Sequence, residues 1–383
     1  MRPVVLAVDD TPENLDVVKN ILVPDYTVKV ATTGALALKI AAKQPPDIIL
    51  LDVMMPEMDG YEVCRRLKSD PATAEIPIIF LTAKDQTADE AEGFSLGAAD
   101  YIHKPVNPQI LKARVATHVA LKRSIDDLHE LSEALALAKE RMENELNVAH
   151  DLQKSMLPDV VPASHHFELC ASMDAAREVG GDFYDYFMPN DEELWFCVAD
   201  VSGKGVPSAL FMAMTKILLK SRSQDDRTSS KVMTRVNSIL AEDNPECMFV
   251  TVFLGVLQVS SGTVTYTNAG HNLPLIKRAN GTVETVPDLH GPILGVQEGI
   301  EYGESSIELG PEDTLLVYTD GVTEAMDIEE QLYSGSRLEN LLLSIERPTA
   351  ESLLKTVLTS VDEFAVGAEQ ADDITMIALR FIG

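Results

Sequence analysis

The sequence predicts two different architectures in one chain. The first is a doubly wound, five-stranded α/β domain. The second is an α+β sandwich with αββα layering, and a helical coiled-coil linker joins them. Three observations carry this prediction. Residues 3–120 alternate short apolar runs with stretches of helical periodicity. Residues 118–157 contain neither Gly nor Pro and hold a heptad-spaced apolar seam. From about residue 165, strand-like runs cluster together and helical stretches come in pairs.

The first region places strands at Val4–Val8, Thr27–Ala31, Ile48–Leu51, Ile78–Leu81 and Tyr101–His103. Between them, positions such as Leu15, Val18, Ile21 and Leu22 repeat every three to four residues. Strand and helix in alternation imply βαβ units, hence a parallel sheet covered on both faces. The domain is expected over 1–120, the linker over 121–158 and the second domain over 159–383. In the linker, steps of four and three pick out Leu121, Ile125, Leu128, Ser132, Leu135, Lys139, Met142, Leu146, Ala149, Gln153 and Met156. Eight of these are apolar, which suits a two-stranded seam and predicts a homodimer. The alternative is one helix packed on its own domains. Pro158 ends it. The second region places strands at Glu168–Met173, Leu194–Ala199, Met248–Leu257, Val264–Asn268, Thr314–Thr319 and Thr375–Ile382, with helices at 206–221, 229–241, 336–346 and 349–364.

Composition narrows the function. Hydrophobic residues make up 45% of the 383, enough for substantial cores. The formal net charge of −30 repels phosphate backbones and anionic lipid, so neither a nucleic acid nor a membrane surface is expected as partner. Divalent cations and basic partners are favoured. The four cysteines, Cys64, Cys170, Cys197 and Cys247, are scattered without a C-x-x-C pair, as in a reduced cytoplasmic protein. The start, MRPVVLAVDD, does not read as a signal peptide. The apolar stretch Ala209–Leu219 is broken by Lys216 and too short to span a bilayer.

Chemistry is expected where strands end, because ligands of open parallel sheets sit at the carboxyl edge. Asp9 and Asp10 follow the first strand, Asp52 the third, Thr82 the fourth and Lys104 the fifth. A lone Asp there is an ordinary turn or cap residue. Three carboxylates, a hydroxyl and an ammonium converging on one edge call for a hard cation such as Mg²⁺. Such a cation lowers the barrier to phosphoryl transfer onto a carboxylate, and Lys104 and Thr82 suit the phosphoryl oxygens. Asp85 is expected on a loop away from the acids.

These segments, VDD, LDVMMPEMDG, LTA and HKP, resemble the receiver domain of two-component response regulators. The resemblance implies that Asp52 is the phosphoacceptor. Asp9, Asp10 and Asp52, with the backbone carbonyl of Met54, would bind Mg²⁺. Thr82 and Lys104 would sense the phosphoryl group, and Tyr101 would be the switch aromatic. It also implies a cis Lys104–Pro105 bond and a sensor histidine kinase as partner.

The second region has its own acids. Asp182 lies in REVGGDFYD, Asp200 ends LWFCVAD, Asp320 ends TLLVYTD, and Asp372 and Asp373 open DDITMIALRF. Each alone passes for a turn residue, as does Asp320 before Gly321. His271 in NAGHN is weak alone. Together, oxygen donors with little His and no Cys favour Mg²⁺ or Mn²⁺ over zinc. Two such cations about 3.5–4 Å apart activate water for in-line attack on phosphorus. Arg177 has the guanidinium fork that binds phosphate.

AHDLQKSMLP, AREVGGDFYD, VADVSGKGVPSALFMA, TNAGHNLP, LVYTDGVTEA and DDITM resemble the RsbU/SpoIIE-type branch of the protein phosphatase 2C superfamily, over about 150–383. The resemblance implies a metal-dependent serine/threonine protein phosphatase. Asp182, Asp200, Asp320 and Asp372 would be ligands of two Mn²⁺ or Mg²⁺ ions, with Asp200 bridging and the Val201 carbonyl added. Asp373, a further candidate metal residue, stands where the wider superfamily has Asn. Arg177 matches the phosphate-binding Arg. The substrate implied is a phosphorylated STAS-type anti-sigma-factor antagonist, with phosphorylation of the first domain activating the second. The competing class is a binding module that sequesters a partner without turnover; retention of all the expected acids favours the enzyme.

Overall fold

The computed structural model describes residues 2–83, 94–242 and 244–383. Asp85 lies outside the described residues. The chain divides into two compact units, Met1–Glu140 and Arg141–Gly383.

In the first unit, β1 (Val4–Val8), β2 (Thr27–Ala31), β3 (Ile48–Asp52), β4 (Ile78–Ala83) and β5 (Asp100–Lys104) form one parallel sheet in the order β2-β1-β3-β4-β5. Strict alternation explains why it is covered on both faces. Leu6 and Val8 pack with Ile49, Leu51, Ile78 and Phe80 under α2 (Gly34–Lys43) and α3 (Gly60–Ser69). Val5 and Ala7 pack with Ile48, Leu50, Ile79 and Leu81 under α1 (Pro12–Leu22) and the first turns of α4 (Pro108–Met156). A strand buried on both faces reads as an unbroken apolar run, as VVLAV and IILL do. The strand order reverses between β1 and β3, and there the sheet opens a crevice at its carboxyl edge.

The α4 helix runs unbroken for 49 residues, so the expected linker and the last helix of the first domain are one element. Four seam positions, Leu121, Leu128, Leu135 and Met142, are more than half exposed. Gln153, counted with the seam, is buried.

The second unit contains two five-stranded antiparallel sheets. One joins β7 (Phe183–Asn190), β8 (Glu193–Val201), β9 (Val250–Gln258), β10 (Thr263–Ala269) and β13 (Ser305–Glu308). The other joins β6 (Phe167–Asp174), β11 (Leu275–Lys277), β12 (Val283–Thr285), β14 (Thr314–Tyr318) and β15 (Ile374–Phe381). Alternation again sorts the side chains. Leu194, Phe196 and Val198 of β8 meet Ile377, Leu379 and Phe381 of β15 between the sheets. Trp195, Cys197, Ala199 and Val201 face α5 (Val206–Asp225) and α6 (Ser229–Glu242) instead. Ile374, Met376 and Ala378 face α7 (Asp320–Thr323), α8 (Gly335–Ser344) and α9 (Ala350–Phe364). The result is the layering α, β, β, α around three cores.

Among these elements β7, β11, β12, β13 and α7 were not foreseen. Asp320 opens a short helix rather than ending a strand, and Asp372 and Asp373 precede β15. Asp200 lies within β8, one residue from its end.

Candidate functional site

The first acidic group sits at the crevice of the parallel sheet. Asp9, Asp10 and Asp52 can each place a carboxylate oxygen within 4.8 Å of the others. Asp9 is fully buried and accepts the Thr11 N–H at 2.9 Å and the Asn14 amide at 3.0 Å. Lys104 Nζ lies 2.8 Å from both Asp9 Oδ2 and Asp52 Oδ1. Burial pushes the Asp52 carboxyl above its ordinary range against the pull of Lys104. The reciprocal bonds to Asp52 and Asp9 raise the Lys104 ammonium despite its own burial. One ammonium against three carboxylates leaves a negative balance that a hard cation fits.

Around this group, Thr82 is buried one position beyond Leu81, which pairs with Asp52 across the sheet. Met54 gives Asp52 a backbone hydrogen bond while its side chain is exposed. Tyr101 is buried, stacked on Phe80 at 5.5 Å with Phe94 edge-on at 4.8 Å. The Lys104–Pro105 bond is cis.

The second acidic group is assembled from four places in the chain. Asp182 precedes β7, Asp200 lies on β8, Asp320 starts α7, and Asp372 and Asp373 precede β15. Their mutual influence shows in their protonation. Burial, then the charges of Asp200 and Asp373, drive the Asp182 carboxyl well above the carboxylate range. Asp200 is pushed up to about 7 by burial and then by Asp320, with Asp372 and Asp373 adding to it. Burial, Glu324 and Asp372 raise Asp320. Asp182 Oδ2 is buried without a hydrogen-bond partner among the described residues. A buried carboxylate oxygen without a donor, among like charges, is costly unless a cation supplies the missing charge, so this donor set fits divalent cations.

Two of the acids have other engagements. Lys204 Nζ lies 3.0 Å from Asp372 Oδ2. Asp373 accepts the Ala176 N–H on Oδ1 at 2.9 Å and the Gly181 N–H on Oδ2 at 2.8 Å. That close approach requires glycine, because a Cβ on Gly180 would stand 2.2 Å from Asp373 Oδ2. A Cβ on Gly181 would stand 2.7 Å from the carbonyl oxygen of Val201. Arg177 is exposed and lines an open cleft of about 960 Å³ with Glu178, Glu369 and Gln370.

Two polar residues below this group escaped the sequence reading. Gln153, near the end of α4, donates to the Gly180 carbonyl at 2.7 Å and accepts the Gly180 N–H at 3.1 Å. His150, one turn earlier, donates from Nδ1 to the Glu178 carbonyl at 2.7 Å. The AHDLQKSMLP segment was the signal available, but spacing assigned Gln153 to the seam. His271, singled out as weak, is buried with its Nδ1 2.9 Å from Thr251 Oγ1. Thr251 pairs with Asp200 across β8 and β9, so His271, just beyond β10, holds the residue that stands beside Asp200 on the neighbouring strand.

Comparison with known proteins agrees with both halves. Residues 5–116 match the response regulator receiver domain, and residues 190–382, half of the chain, match stage II sporulation protein E (SpoIIE). Phosphoserine phosphatase RsbU of Bacillus subtilis is 25% identical over 242 residues, covering 63% of this chain and 71% of that protein. A probable cyclic di-GMP phosphodiesterase of Vibrio cholerae is 35% identical over 228 residues, covering 56% of this chain and 51% of that protein. The chain spans about half the length, or less, of the first curated relatives it matches. The SiaA-PP2C domain of Pseudomonas aeruginosa superposes with a TM-score of 0.57 at 19% identity, covering 64% of this chain and 99% of that one, a likeness of fold. No helix among the described residues is long and apolar enough to cross a membrane. By the match that spans half its length, the chain belongs to the stage II sporulation protein E (SpoIIE) family, and it carries a response regulator receiver domain in its first part.

Proposed function

We propose that the chain is a response-regulator phosphatase. Phosphorylation of Asp52 by a sensor histidine kinase controls metal-dependent removal of phosphate from phosphoserine or phosphothreonine on a partner protein. The observation that carries the reading is the electrostatic grouping of Asp182, Asp200, Asp320 and Asp372 from four separate places in the chain, with the Asp182, Asp200 and Asp320 carboxyls raised by burial and by neighbouring carboxylates.

In this reading Asp182, Asp200, Asp320 and Asp372 hold two Mn²⁺ or Mg²⁺ ions, with the Val201 carbonyl as a further donor. Divalent cations in such a site lower the pKa of water and offset the charge of phosphoryl oxygens. The residues supply the rest. Lys204 steadies Asp372, Asp373 secures the Gly181–Asp182 backbone, and Arg177 binds the substrate phosphate from the rim of the open cleft. In the first unit Asp9, Asp10, Asp52 and the Met54 carbonyl hold Mg²⁺. Lys104 and Thr82 receive the phosphoryl oxygens, and Tyr101 answers by changing its packing.

The domains divide at 1–120, 121–158 and 159–383, and the protein works in the cytoplasm. The exposed Leu121, Leu128, Leu135 and Met142 support a homodimer through the α4 helix. A continuous helix with two packings is a suitable two-state element for coupling. The likeness to a phosphoserine phosphatase supports a phosphoserine substrate; a STAS-type antagonist of an anti-sigma factor as that substrate, and activation by phosphorylation, follow from the RsbU/SpoIIE-type motifs. The test is Mn²⁺-dependent release of phosphate from a phosphorylated STAS protein, with and without acetyl phosphate. Turnover that rises with acetyl phosphate supports the reading. A partner that binds but is never dephosphorylated replaces it with sequestration.

A further inference from the structure

The segment 175–182 enters the acidic group without belonging to any strand or helix. Among the described residues, no backbone-to-backbone hydrogen bond anchors it. Side chains do so instead. On one side Asp373 takes the N–H groups of Ala176 and Gly181. On the other, His150 takes the Glu178 carbonyl, and Gln153 grips both the N–H and the carbonyl of Gly180. Val179, Gly180, Gly181 and Asp182 are buried, so the bonds to Gly180 and Gly181 replace ones that water does not provide.

A polar side chain with a carbonyl and an amide at one end suits this task. It matches a peptide's donor and acceptor together, which neither Glu nor Lys does. Gln153 is almost fully buried, and both of its hydrogen-bonding ends are spent on one glycine. Gly180 is therefore clamped between Gln153 and Asp373, and a Cβ there has no room on the Asp373 side. Two residues later the chain reaches Asp182.

We propose that Gln153 is a positioning residue for the acidic group. By holding the Gly180 peptide it fixes the segment that sets Asp182, and the last turns of α4 thereby govern the site's readiness for cations. This deepens the phosphatase reading and rests on it. It also gives a linker movement a physical route to the chemistry. A change in the helix end need only release one glycine peptide.

The test uses the full-length protein with Gln153→Met, which keeps the shape and removes both hydrogen bonds. His150→Ala is the milder companion, since that side chain is only half buried. Two quantities are measured. The first is amide hydrogen exchange of 176–182 in metal-free protein. The second is the Mn²⁺ concentration for half-maximal phosphate release, against kcat at saturating Mn²⁺. For Gln153→Met we expect faster exchange in 176–182 and about a ten-fold higher half-saturating Mn²⁺, the scale of one or two lost buried hydrogen bonds. We expect kcat at saturation within about three-fold of wild type. His150→Ala should move both quantities the same way by less. A residue that only stabilises the fold would instead lower Tm and leave half-saturation unchanged. Unchanged exchange and half-saturation in an active Gln153→Met protein overturn the proposal. If the wild type releases no phosphate at any Mn²⁺ concentration, the phosphatase reading fails, and exchange in the variants still decides whether Gln153 holds the segment.

Discussion

Gly181 donates its backbone N–H to Asp373 Oδ2 at 2.8 Å, joining positions 192 residues apart at the edge of the acidic group. Gly181 is also where the Val201 carbonyl comes closest, since a Cβ there would lie 2.7 Å from that oxygen. Gly181→Ala must therefore shift either Val201 or the segment carrying Asp182. The disturbance is local, and both sheets remain intact. We expect at least a ten-fold fall in Mn²⁺-dependent phosphate release with an unchanged circular dichroism spectrum. Full activity in this variant means that the close approach of Gly181 to Val201 is not needed.

Asp52→Asn removes the carboxylate that receives the phosphoryl group in the proposed function, and leaves Lys104 with Asp9 as its 2.8 Å partner. The first unit should stay folded, because its two cores do not include Asp52. Incorporation of acyl phosphate from acetyl phosphate should disappear, and any stimulation of phosphate release by acetyl phosphate should vanish with it. Undiminished incorporation would move the phosphoacceptor elsewhere.

The seam residues Leu128 and Leu135 are 64% and 68% exposed, far more than a helix face packed on its own chain would show. Replacing both with Lys sets like charges against each other across any two-fold seam. Light scattering should report a lower mass at micromolar concentration, and acetyl phosphate should no longer alter turnover. An unchanged dimer would place the protomer contact on another surface.

Much of the site was legible because its residues sit at places a sequence marks. Asp9, Asp52 and Lys104 follow apolar runs, and the edge of a parallel sheet gathers whatever follows such runs. Other features depend on pairings that no local pattern encodes. β11 and β12 are three residues long, too short for a period to show. β7 was hidden because Asp185 occupies a buried position in it, where Lys216 of α5 pairs with it. That partner is visible only once the helix is laid on the sheet. Gln153 was misassigned for a related reason. Heptad spacing says which face of a helix a residue occupies, and at the helix end that face meets a backbone segment rather than another helix.

His271 gives a pH dependence. Burial pushes its imidazole down to about 3, whereas an unfolded chain titrates it near 6.5. Its folded pKa is depressed, so below about pH 6.5 the unfolded state takes up a proton that the folded state refuses. Stability from this residue is complete above that pH and is lost as pH falls towards 3. Between pH 7 and pH 5 the loss is about 2 kcal/mol. His271→Gln removes the titration, so the stability difference between wild type and variant in urea should change by about that amount between the two pH values. A constant difference would show that His271 protonates freely within the fold.

Asp200 offers the strongest separation of stability from function. Without cations its carboxyl is pushed up to about 7, by burial first and then by Asp320. In Asp200→Asn the shape is kept and one like charge is removed from the group. Metal-free protein should therefore unfold at the same temperature as wild type or a higher one. Added Mn²⁺ should have the opposite effect on the pair. A ligand that binds only the folded state stabilises by about 2.7 kcal/mol at a hundred times its Kd, so wild type should gain several degrees. The Asn variant, lacking a charged donor, should lose most of that gain, and phosphate release should fall at least a hundred-fold. Asp320→Asn should behave alike, since its carboxyl is also raised, by burial, Glu324 and Asp372. Asp191→Asn, at an exposed position between β7 and β8, serves as the control and should match wild type in both measurements. Incorporation of acyl phosphate at Asp52 should persist in all three variants. If Asp200→Asn keeps both its Mn²⁺-dependent thermal shift and its turnover, Asp200 is not a cation ligand and the chemistry must be assigned to other acids of the group.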